Sequence, residues 1–409
     1  MIRQIATLLS GNALSQVVNV VTILFVVTAY ISPAEFGRYA VLMSYVGILS
    51  AIACLRYELA IVSVRRSRVA KNMVFLCFAV ATVFAVSVLA VFQLTKLLLG
   101  DAFLLGASSL VIVALVYLKA IDQVCAAVLY RYEAYLTYSA LKLMQALVLF
   151  AGFLAVGLMG HSVQGLLYST VLAYAAFALA GIYAVRRYDI RSGVDIGRMS
   201  AMFRKHADFA KYNTPQALID NLMTNGLNFV LVALAGPAVV GYFNYMQRIL
   251  RAPLGLVFGA VSQVVFRFSA KNVNNPKLVI EKLGQILAVV VVILVFAITV
   301  ILFVHANFSE LTFLRDWAGM REYMIAFAVW MLIPYLFSPF ATLPVVYDRQ
   351  KTFFMLAATF NLCSLALLFV IILKGSVVAA FWVVALVSLV YFSGLNMWMF
   401  RVAGRGRQT

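Results

Sequence analysis

Twelve long apolar runs occupy most of this chain and decide what it can fold into. Each run is long enough to cross the hydrocarbon core of a bilayer, roughly 30 Å thick, as an α-helix. Because lipid offers backbone groups no hydrogen bonds, such runs predict a bundle of transmembrane helices. The runs cover residues 8–31, 38–62, 72–92, 104–130, 137–159, 164–185, 212–236, 239–265, 283–305, 321–346, 353–373 and 377–400.

The composition agrees with a multi-pass, all-α membrane protein. Hydrophobic residues make up 65% of the chain, charged residues 11%, and mean hydropathy is +1.01. Soluble domains are nearer a quarter charged. Polar residues interrupt the first run, which is also too long for the core of a signal peptide, so we expect it to stay as a span.

The basic residues are distributed unevenly about the runs. With the N-terminus taken as cytoplasmic, the cytoplasmic segments hold 22 lysine and arginine residues and the opposite side holds 5. This bias predicts that both termini are cytoplasmic. The net charge of +18 therefore faces membrane lipids, and a nucleic-acid partner is not expected.

A short motif recurs at half the chain length. Ser-Pro-Ala-Glu-Phe-Gly at 32–37 corresponds to Gly-Pro-Ala-Val-Val-Gly at 236–241. The match predicts two six-span lobes related by a pseudo-two-fold axis along the membrane normal. The expected domains are an N-lobe, a cytoplasmic linker with an amphipathic helix, and a C-lobe with a short basic tail: residues 1–185, 186–211 and 212–409.

Two arginines lie inside the run 239–265. At this depth Arg248 and Arg251 each cost about 2.5–3.5 kcal/mol on insertion scales, unless they face water or an opposite charge. They share a helix face, with Tyr245 beside them. Pairing with Asp220 is the alternative, but one carboxylate does not neutralise two guanidinium groups.

Three further basic residues lie within runs, each with a structural alternative. Arg56 has Glu58 close by, and its side chain could also reach the interface. Lys119 could pair with Asp122 at i, i+3, and Lys142 lies near a helix end. Because basic residues outnumber acidic ones in the runs, the interior suits phosphate or pyrophosphate better than a cationic compound.

Amide side chains form stripes on the leading run of each lobe. Asn12, Gln16 and Asn19 share one face of the first run, and Asn225 belongs to a similar stripe on the seventh. Hydrogen bonding between helices is the alternative role. The histidines lie near run ends, and the sequence has no phosphate-binding glycine loop. We therefore expect no catalytic residues, metal site or resident cofactor.

Several segments resemble a known family. Leu-Leu-Ser-Gly-Asn-Ala-Leu-Ser-Gln at 8–16, the motif at 32–37 and Leu-Arg-Tyr-Glu-Leu-Ala-Ile-Val at 55–62 resemble the Wzx-type polysaccharide flippases of the MOP exporter superfamily. The resemblance implies a V-shaped, two-lobed fold in the bacterial inner membrane. It also implies that an undecaprenyl-pyrophosphate-linked oligosaccharide, as used for O-antigen and lipopolysaccharide, crosses to the periplasmic leaflet by alternating access through a cationic central cavity.

These inferences combine into one predicted site. Coupling to H⁺ or Na⁺ would involve one of Asp220, Asp122 and Glu58. Polysaccharide polymerase machinery is a further expected partner. The alternatives are an ion-coupled multidrug exporter of the same superfamily and a membrane glycan polymerase or ligase. The predicted substrate-binding residues are Arg248, Arg251, Arg56, Lys119, Lys142, Asn12, Gln16, Asn19, Asn225 and Tyr245.

Overall fold

A computed structural model describes residues 13–64, 67–99, 108–160, 163–188, 199–205, 207–273, 275–308 and 312–405. In these ranges the regular structure is helical, and eleven helices are long and apolar enough to cross a membrane. They coincide with eleven of the twelve predicted runs. The prediction of an all-α membrane protein is therefore confirmed.

The helices have the following bounds in chain order. They are α1 (Ala13–Tyr30), α2 (Pro33–Ile52), α3 (Glu58–Ser63), α4 (Ser67–Leu99), α5 (Ser109–Arg131), α6 (Tyr135–Met159), α7 (Val163–Arg186), α8 (Met199–Lys205), α9 (Thr214–Ala235), α10 (Pro237–Lys271), α11 (Pro276–Ala306), α12 (Met320–Leu332), α13 (Leu343–Val346), α14 (Gln350–Leu373) and α15 (Val377–Arg405).

The remaining run, 38–62, is divided. Helix α2 ends at Ile52, residues 53–57 form turns, and α3 follows. Leu55 and Arg56 have φ values of 47° and 59°, in the left-handed region that residues with a Cβ adopt at a cost. Neither glycine nor proline marks this break, which is why the hydrophobic pattern predicted one continuous helix.

The chain forms two compact units, and the first is Met1–Val232. Helix α2 begins with Pro33 after Ser32, whose hydroxyl accepts from the amide of Glu35 while the Glu35 carboxylate accepts from the Ser32 amide. Further along α2, the hydroxyl of Tyr39 lies 3.0 Å from that of Thr170. Buried contacts of this kind hold α2 against α7.

Helix α9 belongs to the first unit as far as Val232. The amide of Asn228 donates to the hydroxyl of Ser44 on α2 at 2.8 Å, and the rings of Tyr45 and Phe229 are 4.7 Å apart. The lobe boundaries 1–185, 186–211 and 212–409 stay a prediction. Helix α8 lies in the linker where an amphipathic helix was expected, whereas residues 189–198 of the linker lie outside the described ranges.

The second unit is Ala233–Thr409. Helix α10 begins with Pro237 after Gly236 (φ 87°), so both copies of the repeated motif start a helix with proline in first position. The run 321–346 is broken after Leu332 into 3₁₀ turns and α13, as three prolines in one helix require. Its aromatic side chains pack inside the unit, where Phe340 is fully buried.

Candidate substrate-binding site

Arg248 and Arg251 lie in the middle part of the 35-residue helix α10. Arg248 is half-buried and Arg251 is exposed. Arg251 is also close enough to Tyr335, in the broken run, to interact with it electrostatically. Because Pro253 has no amide hydrogen, the carbonyl of Ile249 lacks its usual helical bond beside the arginines. This face of α10 is therefore cationic and interrupted by a proline.

Tyr245 is buried, whereas the predicted role as a substrate contact requires an accessible side chain. Its side chain is 3% exposed, and its ring lies 5.0 Å from that of Trp317. Asn244 is also buried and donates to the carbonyl of Val240. Both side chains pack within the second unit, so Tyr245 as a substrate contact stays a prediction that its packing does not favour.

The basic residues of α5 and α6 form a cluster in the first unit. Lys142 pairs with Asp122 at 2.5 Å and also donates to Gln145 at 3.1 Å. The ammonium group lies 4.6 Å from the ring centre of Phe177, as in a cation–π contact. Lys142 is thus held inside the protein rather than extended toward an interface.

Lys119 has no ion pair in the described structure, because Asp122 is bound to Lys142. It still lies close enough to both residues for electrostatic interaction. Two ammonium groups against one carboxylate leave this cluster with an excess positive charge. An anion arriving here would interact with Lys119 without displacing the Asp122–Lys142 pair.

Arg56 and Glu58 flank the break between α2 and α3. The distance from Arg56 Nη1 to Glu58 Oε1 is 3.4 Å, with the two side chains 31% and 7% exposed. Within the described part of the chain, Arg56 Nε and Glu58 Oε2 are buried and have no hydrogen-bond partner. The pair therefore makes one long contact and leaves a buried polar atom on each side chain without a hydrogen-bond partner among the described residues.

The amide stripes take up different positions. Asn12 lies outside the described residues, Gln16 is half-buried and Asn19 is exposed on α1. The buried Oε1 of Gln16 has no hydrogen-bond partner in the described chain. Asn225 donates to the carbonyl of Asn221, and its amide lies so close to Gly47 that a Cβ there would be 3.2 Å away. Asn225 of the α9 stripe therefore packs against a neighbouring helix, which is the alternative role of the amide stripes.

The third candidate coupling carboxylate, Asp220, is exposed on α9 and makes no described ion pair. This differs from Asp122 and Glu58, which are buried beside cations. The pairing of Asp220 with the α10 arginines, the alternative given above, stays a prediction.

Three residues of this region escaped the sequence interpretation. Gln145 binds Lys142, Arg131 donates to the carbonyls of Ile61 and Val64 at the end of α3, and Tyr57 donates to the carbonyl of Phe203 on α8. Gln145 falls three residues after Lys142 on one helix face and could have been found. The partners of Arg131 and Tyr57 are distant in sequence, and no local pattern indicates them.

A family model described as "Polysaccharide biosynthesis protein" matches residues 26–322, which include α2 to α11 and most of the candidate residues. The chain belongs to this polysaccharide biosynthesis family. None of the curated proteins matches it. The predicted resemblance to polysaccharide flippases of the MOP superfamily is thereby confirmed at the level of the family and, as follows, of the fold.

Solved structures share the fold of this family member. The lipid II flippase MurJ, in an inward closed conformation, superposes with a TM-score of 0.71 at 12% identity, covering 96% of this chain and 89% of the flippase. An inward-facing multidrug resistance MATE transporter of the MOP superfamily gives 0.60 at 16% identity, covering 95% and 96%. These two solved proteins are a flippase and a multidrug transporter, in agreement with the prediction of a transporter rather than an enzyme.

A third neighbour concerns the charge of such sites. It is a MOP superfamily transporter from Pyrococcus furiosus, with a TM-score of 0.53 at 13% identity, covering 98% of this chain and 95% of the other. For that transporter, the reversed polarity of the binding pocket suggests a different function. The fold therefore occurs with binding pockets of different polarity, and the residues that line each pocket determine which ligand it binds.

Proposed function

We propose that this protein moves an oligosaccharide linked to undecaprenyl pyrophosphate from the cytoplasmic to the periplasmic leaflet of the bacterial inner membrane. The observation that carries the proposal is the cationic face of α10, where Arg248 and Arg251 lie at mid-helix in a chain of the polysaccharide biosynthesis family. No aspartate or glutamate occurs in the run 239–265. A pyrophosphate is an anion that two arginine side chains on one helix can bind together.

The chemistry of the head group fits two arginines better than other cations. A guanidinium group donates two parallel hydrogen bonds to phosphate oxygens, and a pyrophosphate presents several such oxygens. Side chains three residues apart on a helix are neighbours, so both can bind one head group. The prenyl tail stays in lipid, and the transport step exposes the bound head group first to one side of the membrane and then to the other.

Lys119 and Lys142, which were also predicted to contact the substrate, have different roles in the proposal. Lys119 has the excess charge of the α5–α6 cluster, so it is the stronger candidate of that cluster. Lys142 is already occupied by Asp122, and we assign it to holding the cluster together. The pathway that consumes the flipped oligosaccharide requires a polymerase, which is the partner we propose on the periplasmic side.

A translocation assay with matched lipids tests this function. Purified protein in liposomes is given a fluorescent oligosaccharide on a polyprenyl pyrophosphate, and the same sugar on a neutral polyprenyl carrier. We expect the sugar on the pyrophosphate carrier to become accessible to a membrane-impermeant quencher rapidly, while the sugar on the neutral carrier stays protected. Liposomes without protein give the baseline rate. Equal rates for the two lipids would contradict the proposal.

Two further readouts separate the alternatives. Accumulation of a cationic dye driven by an ion gradient, without lipid translocation, would identify a multidrug exporter. A change in glycan chain length, measured by mass spectrometry on the recovered lipid, would identify a polymerase or ligase. We expect neither.

A further inference from the structure

The break between α2 and α3 holds a buried carboxylate that is only partly engaged. Glu58 is 6% exposed, and one of its oxygens contacts Arg56 at 3.4 Å while the other has no hydrogen-bond partner in the described structure. Arg56 likewise has a buried Nε without a partner. A guanidinium group and a carboxylate in full contact form two parallel hydrogen bonds, so this pair is far from its best geometry.

The backbone keeps the two side chains in this arrangement. Leu55 and Arg56 are consecutive residues with positive φ, which costs on the order of 1–3 kcal/mol for each residue. Such strain persists where the surrounding structure enforces it. Here Arg131 holds α3 through the carbonyls of Ile61 and Val64, and Tyr57 bonds to α8.

We propose that Arg56 and Glu58 form a proton-gated anion site, in which protonation of Glu58 frees Arg56 to bind a phosphate oxygen of the carrier. This inference rests on the proposed function, because it takes the anionic head group as the ligand. Arginine keeps its charge at every physiological pH, so only the carboxylate changes state. Once Glu58 is neutral, its attraction for Arg56 is lost and the guanidinium group is left with a charge to be balanced.

Proton binding and anion binding then favour each other. An anion at Arg56 competes with ionised Glu58 and tolerates neutral Glu58, so each ligand raises the affinity for the other by the same factor. A bound metal cation is a poor alternative, because Arg56 is itself a cation next to the carboxylate. The arrangement therefore favours H⁺ over Na⁺ as the ion that neutralises Glu58.

Among the residues that the structure describes, the ionisable groups around this carboxylate are the following. Helix α4 brings Cys77, which is buried and interacts electrostatically with Glu58, and the break brings Arg56. Helix α5 brings Arg131, whose guanidinium group is engaged with carbonyls at the far end of α3. Among the described neighbours, Glu58 is therefore the group that we expect to titrate with substrate binding.

Binding of inorganic pyrophosphate to the purified full-length protein tests the proposal. Dissociation constants are measured by calorimetry between pH 5.5 and 8.5 for wild type and Glu58→Gln. Their ratio at each pH cancels the ionisation of the probe itself. We expect Glu58→Gln to bind about tenfold more tightly than wild type at high pH, within the usual range of coupling between sites, and the two to converge at low pH.

A second variant keeps the test valid if Glu58→Gln folds poorly. Arg56→Gln is expected to match wild type at high pH, where Glu58 engages the arginine, and to bind more weakly at low pH. Glu322→Gln, at an exposed position on α12, serves as the matched control and should follow wild type throughout.

The outcomes separate this inference from the proposed function. A ratio independent of pH, with binding still lost in the Arg248→Ala/Arg251→Ala variant, overturns the proton gate and leaves the function standing. Absence of pyrophosphate binding by wild type at every pH contradicts both. Convergence at low pH together with the Arg56→Gln pattern supports the gate.

Discussion

Among the described residues of the first unit, two ion pairs with a buried carboxylate differ in how closely their partners contact each other. Asp122 and Lys142 form a close pair with Gln145 as a third partner and an aromatic ring below the ammonium group. Arg56 and Glu58 make a single longer contact next to two strained residues and leave a buried atom on each side without a partner. In the first pair the unpartnered atom is Nε2 of the accessory Gln145, whereas in the second pair it belongs to each of the two charged groups themselves.

The difference indicates separate roles for the two pairs. A buried charge that has all its partners stabilises one arrangement, whereas a buried charge with unused hydrogen-bonding capacity can exchange partners. We therefore assign the α5–α6 pair to structure and the pair at the α2–α3 break to function.

The largest effect is expected from Asp122→Asn. This change leaves Lys119 and Lys142 without a carboxylate and should cost about 3–5 kcal/mol, as for other broken buried pairs. Glu58→Gln should cost about 1 kcal/mol, because its contact with the partly exposed Arg56 is long. The apparent melting temperatures of the two variants in detergent measure the difference.

A double variant provides the control for this comparison. Lys142→Met in the Asp122→Asn background removes one uncompensated charge and should recover part of the lost stability. Equal destabilisation by Asp122→Asn and Glu58→Gln would show that the two pairs do not differ in role.

An intermediate effect is expected from Arg131→Ala. The change removes hydrogen bonds to the carbonyls of Ile61 and Val64, and a charge-assisted bond contributes about 1.5–3 kcal/mol. Arg131→Lys should restore part of the loss, while Arg186→Ala, at an exposed helix end, should be close to neutral. Thermal unfolding measures the change in stability of each variant. An Arg131→Ala variant as stable as wild type would mean that other contacts hold α3.

The smallest effect is expected from Tyr57→Phe. The hydroxyl bond to Phe203 is lost, at about 0.5–1.5 kcal/mol, but the two rings remain in contact at 5.4 Å. Helix α8 should stay docked and exchange its amide hydrogens several-fold faster. Tyr168→Phe, at an exposed position on α7, is the control. Unchanged exchange in α8 would show that the ring contact alone anchors it.

The sequence predicted the spans more completely than it predicted their interruptions. Hydrophobic runs locate helices because lipid enforces them, and the three prolines of the run 321–346 announced a break that the structure contains. The break at 53–57 has no glycine or proline and is flanked by tertiary contacts of Arg131 and Tyr57. A periodic pattern does not contain that information.

The candidate residues followed the same division. The burial of charged side chains on α5, α6 and the α2–α3 segment was predicted from residue type and from position within the apolar runs. The choice of partners was not, since Asp122 binds Lys142 from the next helix and not Lys119 one turn away. The partner of a charged group depends on which helix faces meet. The sequence alone does not distinguish Lys119 from Lys142 as the partner of Asp122.

Translocation by arginine variants tests whether Arg248 and Arg251 bind the pyrophosphate of the carrier. Wild type, Arg248→Ala/Arg251→Ala and Arg248→Lys/Arg251→Lys are compared in liposomes, with Arg267→Ala on the same helix as the control. The alanine variant should move the pyrophosphate-linked oligosaccharide at least about tenfold more slowly, and the lysine variant should fall between, because lysine lacks the planar fork. A double alanine variant that translocates at the wild-type rate would contradict the account.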